Sequence, residues 1–265
     1  MLLEGKTAII YGGSGAIGSA TAGVFAREGA RVHLVGQTEE RLRRTAEAIE
    51  ARGGSAAYAV VDAFDADAVR AHADAVAADD GHIDIAMNVV GVPHVQGVPL
   101  ADLPVEDFLL PVERYARTNV VTAKAVAGHM QARRSGVILT ISAPGSQLPG
   151  IGHLGNAAAC GAVEAFSRVL AGELGPDGVR VVCLRPHAIP ESIATSHLGA
   201  VFTSAAARVG TDAPGWLAGL AEHGTLLGRL PTLEDVAEYA AFVASDRARA
   251  MTGAIANLTC GALVD

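Results

Sequence analysis

Lysine is almost missing from this chain: of 265 residues, only Lys6 and Lys124 carry an amine side chain. Any mechanism that needs a lysine therefore has two candidates. Aromatic residues are nearly as scarce, with six Phe, four Tyr and one Trp, so the core must be assembled from Ala, Val, Leu and Ile. The three cysteines, Cys160, Cys183 and Cys260, are odd in number, far apart and without CxxC pairing. That argues against a disulfide framework and against a structural zinc site, and no metal is expected. No apolar run reaches the length of a membrane span, so no membrane partner is expected. The first strand opens by residue 6, which leaves no room for a signal peptide and makes a cytoplasmic protein the plain reading. A net charge of −8 speaks against a nucleic-acid or anionic-membrane surface.

What is present is apolar surface in a regular order. Hydrophobic residues make up 50% of the chain and charged ones 18%, enough for one substantial core rather than two small ones. Strand-length apolar runs fall at Thr7–Tyr11, Arg31–Val35, Ala56–Val61, Ile83–Asn88, Gly136–Ser142, Arg180–Leu184 and Ala254–Leu258. Helical patterns separate them near 17–28, 39–52, 66–79, 105–133, 156–174 and 233–245. Strands that are apolar on both faces and alternate with helices imply a doubly wound parallel sheet, here one domain over 1–265. Residues 187–231 break the rhythm, with Pro190, Gly210, Pro214, Gly215 and Gly224. An insertion after the sixth strand lies beyond the carboxyl edge of such a sheet, where a lid or substrate loop belongs. Its small apolar residues suit a modest, fairly apolar small-molecule ligand.

After the first strand comes YGGSGAIG, residues 11–18, which satisfies GxGxxG at Gly13, Gly15 and Gly18 and runs into a helix. Such a loop opens a helix amino terminus, where backbone N–H groups and the helix dipole favour a pyrophosphate. The second strand ends Val35-Gly36-Gln37-Thr38. An acidic residue there would favour the NAD 2′-hydroxyl, and none is present, so the balance leans to NADP(H). No Arg occupies 36–38 to pair with a 2′-phosphate, and Arg41 is the nearest cation.

These features, taken with Asp62 after the third strand, Asn88-Val89-Val90-Gly91 after the fourth and LLGRLPTLEDVAEYAAFVASDRARAMTG at 226–253, resemble the short-chain dehydrogenase/reductase family over nearly the whole chain. The resemblance implies a single-domain Rossmann fold with a seven-stranded parallel sheet, an NAD(P)(H) cofactor, oxidoreductase chemistry on a carbonyl or alcohol, and a homo-oligomer, tetramer or dimer. It implies a nucleotide held by Gly12, Ser14, Gly15, Ala16, Ile17, Gln37, Asp62, Ala63, Val90, Gly91, Pro186 and Ile189.

In that family the chemistry rests on Asn, Ser, Tyr and Lys. The Tyr exchanges a proton, the Lys lowers its pKa, and the Ser polarises the substrate carbonyl. Aligned through ILTISAPG (138–145) and GAVEAF (161–166), the Ser position is Ala143, the Tyr position Asn156 and the Lys position Cys160. The Asn position is Tyr115 without a gap, whereas Asn119 fits only with four residues deleted. Ser142 is adjacent to Ala143 but should point to the opposite face of its strand. An Asn amide cannot exchange a proton near neutral pH, so the usual mechanism is not expected. The replacements considered are His153 or His187 as acid/base groups, Asn156 as hydrogen-bond donor to the substrate oxygen and Tyr115 as a hydroxyl source. His94 maps to the same loops, and Glu191 is read as a cap or a solvated side chain. Three unrelated loop histidines and a Cys160 that only packs are the bland alternatives. At the level of function, the alternatives are a non-catalytic nucleotide-sensing or partner-binding protein, a non-redox isomerase, dehydratase or cyclase, and a cofactor-free enzyme.

Overall fold

Every apolar run of strand length becomes a strand of one parallel sheet. The computed structural model describes residues 1–150, 152–193, 198–208 and 210–264. In chain order the elements are β1 (Thr7–Tyr11), α1 (Ala16–Arg27), β2 (Arg31–Gly36), α2 (Glu39–Glu50), β3 (Ser55–Val60), α3 (Ala66–Asp80), β4 (Ile85–Asn88), α4 (Val105–Arg133), β5 (Gly136–Ile141), α5 (Leu154–Leu174), β6 (Val179–Pro186), α6 (Leu198–Arg208), α7 (Ala213–Gly224), α8 (Leu233–Ala244) and β7 (Ile255–Leu258). The seven strands lie in the order β3-β2-β1-β4-β5-β6-β7. All six strand pairs are parallel. The order reverses between β1 and β4, and a doubly wound sheet offers a ligand crevice at that switch point, beyond the carboxyl ends of the strands.

Both faces are covered, which is why the strands carry no polar alternation. On one face α1, α2 and α8 close over Ile10, Val32, Leu34, Leu139 and Leu184. On the other, α3, α4 and α5 close over Ile9, Tyr11, Val35, Ile138 and Val181. Local signals set the helix ends. Asp65 caps α3 by accepting from the Asp67 and Ala68 amides, and Gly81 ends it at φ 79°. Thr232 and Asp235 form a reciprocal capping box on α8. Two contacts position the site. The Asn88 Oδ1 accepts from the Val90 amide at 3.1 Å, and its Nδ2 reaches Thr118 Oγ1 at 3.4 Å, tying the turn after β4 to α4. Gly155 lets the first turn of α5 approach α4, because a Cβ there would lie 2.8 Å from the Phe108 carbonyl and 3.1 Å from Pro111.

Strand limits differ from the sequence reading by one or two residues. The largest change is at β6, which continues to Pro186 because its last residues pair with Asn257 and Leu258 of β7. The stretch 187–231 is more regular than a loop. It holds α6 and α7, which enclose their own small core of Val201, Phe202, Ala213, Leu217 and Leu230. Phe202 and Trp216 face each other with ring centroids 5.5 Å apart. The helix-breaking residues sit at ends, where Asp212 caps α7 and Pro214 occupies its first turn. Residues 194–197 and 209 of that stretch lie outside the described residues. Among the described residues, no helix is long and apolar enough to cross a membrane.

Candidate functional site

A cleft of about 860 Å³ opens at the switch point, along the carboxyl ends of β1, β2 and β4. Gly12, Ser14, Gly15, Ala16, Ile17, Gln37, Asp62, Ala63, Val90 and Gly91 all line it. Pro186 and Ile189 do not: Pro186 is paired with β7, and Ile189 is buried in the core. Backbone geometry dictates the glycine loop. Gly12 stands at φ 86°, and a Cβ on it would lie 2.6 Å from the Val89 carbonyl oxygen. A Cβ on Gly18 would meet the Gly12 carbonyl. The helix that follows starts at Gly15 with no side-chain cap, so its amino end opens on the cleft. Uncapped N–H groups and the helix dipole there fit a pyrophosphate.

Around this loop the walls are polar at defined points. Arg41 lines the cleft and donates to the Ser14 carbonyl at 3.0 Å. Gln37 is exposed at the end of β2. The Asp62 Oδ1 accepts from the Phe64 amide at 2.9 Å. The Arg114 guanidinium lies over the Phe64 ring, 5.2 Å from its centroid, and both side chains line the cleft with Glu113 and Arg117. Sequence reasoning missed these four wall residues. A pair of arginines three apart on the α4 face, opposite an aromatic after β3, was the signal available.

Of the four residues singled out by alignment, Tyr115 lines the cleft, and the other three follow from it by contact. Tyr115 lines the cleft from α4, and its phenol is pushed up to about 12, first by burial and then by the neighbouring Cys160, against a hydrogen bond to the Val92 backbone. Burial also pushes the Cys160 thiol up to about 12, opposed by a hydrogen bond to the Ala143 backbone. Cys160 Sγ stands 3.8 Å from Asn156 Oδ1, one turn away on α5. Tyr115, Cys160, Ala143 and Asn156 thus form one continuous group. Ser142 turns away, as strand alternation requires, and its Oγ donates to Glu164 at 3.0 Å. Asn119 bonds back to its own helix, Nδ2 to the Tyr115 carbonyl at 2.8 Å.

The three histidines do not form one cluster. His153 precedes α5 and stands beside Asn156: a Cβ on Gly145 would lie 3.4 Å from His153 Cδ2 and 3.7 Å from Asn156 Nδ2. Its Nε2 is 3.2 Å from the Leu148 carbonyl. His187 accepts at Nδ1 from the Ala188 amide at 2.6 Å, and burial lowers its pKa. His94 is held inside its own loop, Nδ1 2.8 Å from the Val92 carbonyl and Nε2 3.0 Å from Gln96, and burial lowers it too. Glu191 reaches the first amide of α8 at 3.4 Å, so it sits at a helix start. Among the described residues, no group of three or more His, Cys, Asp or Glu could hold a metal ion.

The family model described as Enoyl-(Acyl carrier protein) reductase matches residues 13–262. A short chain dehydrogenase of Pseudocercospora fijiensis is 33% identical over 193 residues, which is 72% of this chain and 62% of that protein. The chain belongs to the short-chain dehydrogenase/reductase family. Within this family it is 31% identical to (+)-borneol dehydrogenase 2 of Salvia officinalis, over 95% of this chain and 87% of that one. Among solved structures, the L-sorbose reductase of Gluconobacter frateurii, complexed with NADPH and L-sorbose, superposes with a TM-score of 0.84. The two share 27% identity, with 99% of each chain covered. By its family the chain is an oxidoreductase-type enzyme.

Proposed function

We propose that this enzyme binds NADP(H) in preference to NAD(H) in the β1–β4 cleft and acts on a small, fairly apolar carbonyl or alcohol with an acid/base set of its own. When bound, a nicotinamide supplies or receives a hydride. The chain's residues then have two tasks, to hold the substrate oxygen and to move one proton. Asn156 Nδ2 donates a hydrogen bond to the oxygen as negative charge develops on it. His153 delivers the proton to that oxygen during reduction and takes it back during oxidation.

The observation that carries this reading is that His153 and Asn156 both flank Gly145, just past the carboxyl end of β5, 3.4 and 3.7 Å from where a Cβ there would stand. Tyr115 and Cys160, both pushed up to about 12, stay protonated at neutral pH and act as neutral polar contacts. In this reading the usual Asn-Ser-Tyr-Lys set is replaced by Tyr115, Ala143, Asn156 and Cys160. Pro186 and Ile189 act from behind the cleft, holding its floor, and the 187–231 segment serves as the substrate lid. The exposed Val120 on α4 and Val169 on α5 support a homo-oligomer, which light scattering would read.

The test is a fluorescence titration of NADPH and NADH, followed by turnover on a panel of small ketones and alcohols. NADPH binding with hydride transfer to an apolar ketone supports the proposal. The lack of a hydroxyl at Ala143 and of an ammonium at Cys160 favours a second reading, a non-redox step on this scaffold. Tight NADPH binding with no hydride transfer to any substrate would select it.

A further inference from the structure

Glu164 and Arg185 are two isolated charges in apolar sequence, AVEAF on α5 and VVCLRP on β6. Both side chains are almost fully enclosed, at 4% and 2% exposure. The Arg185 Nε donates to Glu164 Oε1 at 2.9 Å and its Nη2 to Oε2 at 3.2 Å, a two-point pair. The same carboxylate accepts from Ser142 Oγ at 3.0 Å and Ser146 Oγ at 2.7 Å. Arg185 Nη1 also donates to Gln147 Oε1 at 3.3 Å. One buried carboxylate therefore gathers the end of β5, the turn that follows it, α5 and β6.

Position separates this pair from ordinary core packing. A buried ion pair is a poor source of stability, and apolar residues of similar volume serve a core as well or better. Here the pair stands where the chain leaves the sheet after β5 and enters α5, which carries Asn156. Just past β5 the Ser142 amide still donates to the Leu184 carbonyl at 2.9 Å and Ala143 stays extended (φ −142°, ψ 160°), so fixing the Ser142 hydroxyl on Glu164 turns Ala143 toward the opposite side. Asn156, Cys160 and Glu164 follow one another at intervals of four on α5 and share a face. The geometry points to Glu164–Arg185 as a positioning pair that sets the gap between the 143–147 turn and Asn156, the gap that receives the substrate oxygen. Neither residue touches the substrate, and the assignment rests on the proposed role of that gap.

The experiment uses two variants of the full chain. Glu164→Gln leaves the Arg185 charge without its partner and is expected to lower the melting temperature. The double variant Glu164→Leu/Arg185→Met removes both charges and is expected to melt above Glu164→Gln but below wild type, because the Ser142 and Ser146 hydroxyls lose their acceptor. Melting temperature, NADPH titration, turnover, and amide hydrogen exchange of residues 143–150 and 12–18 are measured on each.

A positioning role predicts a double variant that binds NADPH within about twofold of wild type. Its turnover falls roughly a hundredfold with KM little changed, and its 143–150 amides exchange at least about tenfold faster, while those of 12–18 do not. A double variant with wild-type turnover and wild-type protection at 143–150 would overturn the proposal and leave a purely structural pair. If the wild-type protein transfers no hydride to any substrate, the redox reading fails on its own, and the exchange rates still decide the role of the pair.

Discussion

The two ends of the cleft are built by different means. At the nucleotide end the backbone does the work: Gly12 needs a positive φ and close approach to Val89, and α1 opens at an uncapped Gly15. At the proposed reaction end the backbone only carries side chains, and in the reading proposed above function depends on which ones stand at 115, 143, 156 and 160. A constraint on backbone admits glycine and little else, so it is preserved when chemistry changes. A constraint on side chains is lifted as soon as the chemistry no longer needs them. The fold therefore identifies the family, while the reaction must be read from a handful of positions.

Gly12→Val breaks the comparison most severely. About 2 kcal/mol of φ strain and about 2 kcal/mol of overlap with Val89 act in the loop itself. NADPH binding should weaken roughly a thousandfold by fluorescence titration, with turnover lost as a consequence. Asn156→Ala probes the opposite end. Losing one donor to the developing oxyanion should lower turnover roughly a hundredfold, while NADPH affinity stays within about twofold. If both quantities fell together, the two ends would not be separable.

Gln37→Asp sharpens the nucleotide end further. A carboxylate near a 2′-phosphate costs on the order of 1 kcal/mol in water, so the preference for NADPH over NADH should drop roughly fivefold in competitive titration. The smallest effect concerns Cys160 and is a chemical silence. With its thiol pushed up to about 12 by burial, it stays protonated at pH values well below that, and thiolate is the reactive form. Iodoacetamide at mildly alkaline pH should leave Cys160 and the buried Cys183 unmodified in the native protein, as mass spectrometry would read. Rapid alkylation of Cys160 would show an ionised thiol and reopen the possibility of a nucleophile there.

Legibility in the sequence follows the same division. The β1–loop–α1 unit, the seven parallel strands and the 105–133 helix were readable because period, glycine spacing and length leave few alternatives. Ten of the twelve proposed nucleotide contacts line the cleft, all from segments fixed by those signals. Pro186 falls outside it because β6 continues two residues beyond the apolar run and pairs it with β7, and Ile189, past the strand, packs into the core. The histidines were harder. His94, His153 and His187 all follow strand ends, and only the folded loops show that His153 flanks Gly145 with Asn156 while His94 and His187 are bonded within their own loops. The helices α6 and α7 were hidden by Pro and Gly that mark helix ends rather than loop interiors. Glu164 and Arg185 left a trace, a single charge in each of two apolar runs, but their pairing depends on the strand order that brings β6 beside β5.

The most direct test of the account is His153→Ala, with NADPH affinity and turnover on an apolar ketone measured on the same preparation. Removal of the acid/base group should lower turnover roughly a hundredfold, with NADPH affinity unchanged within about twofold. A variant that retained the wild-type rate would contradict the central claim, the proposal that proton transfer at this site has passed to a histidine beside Asn156.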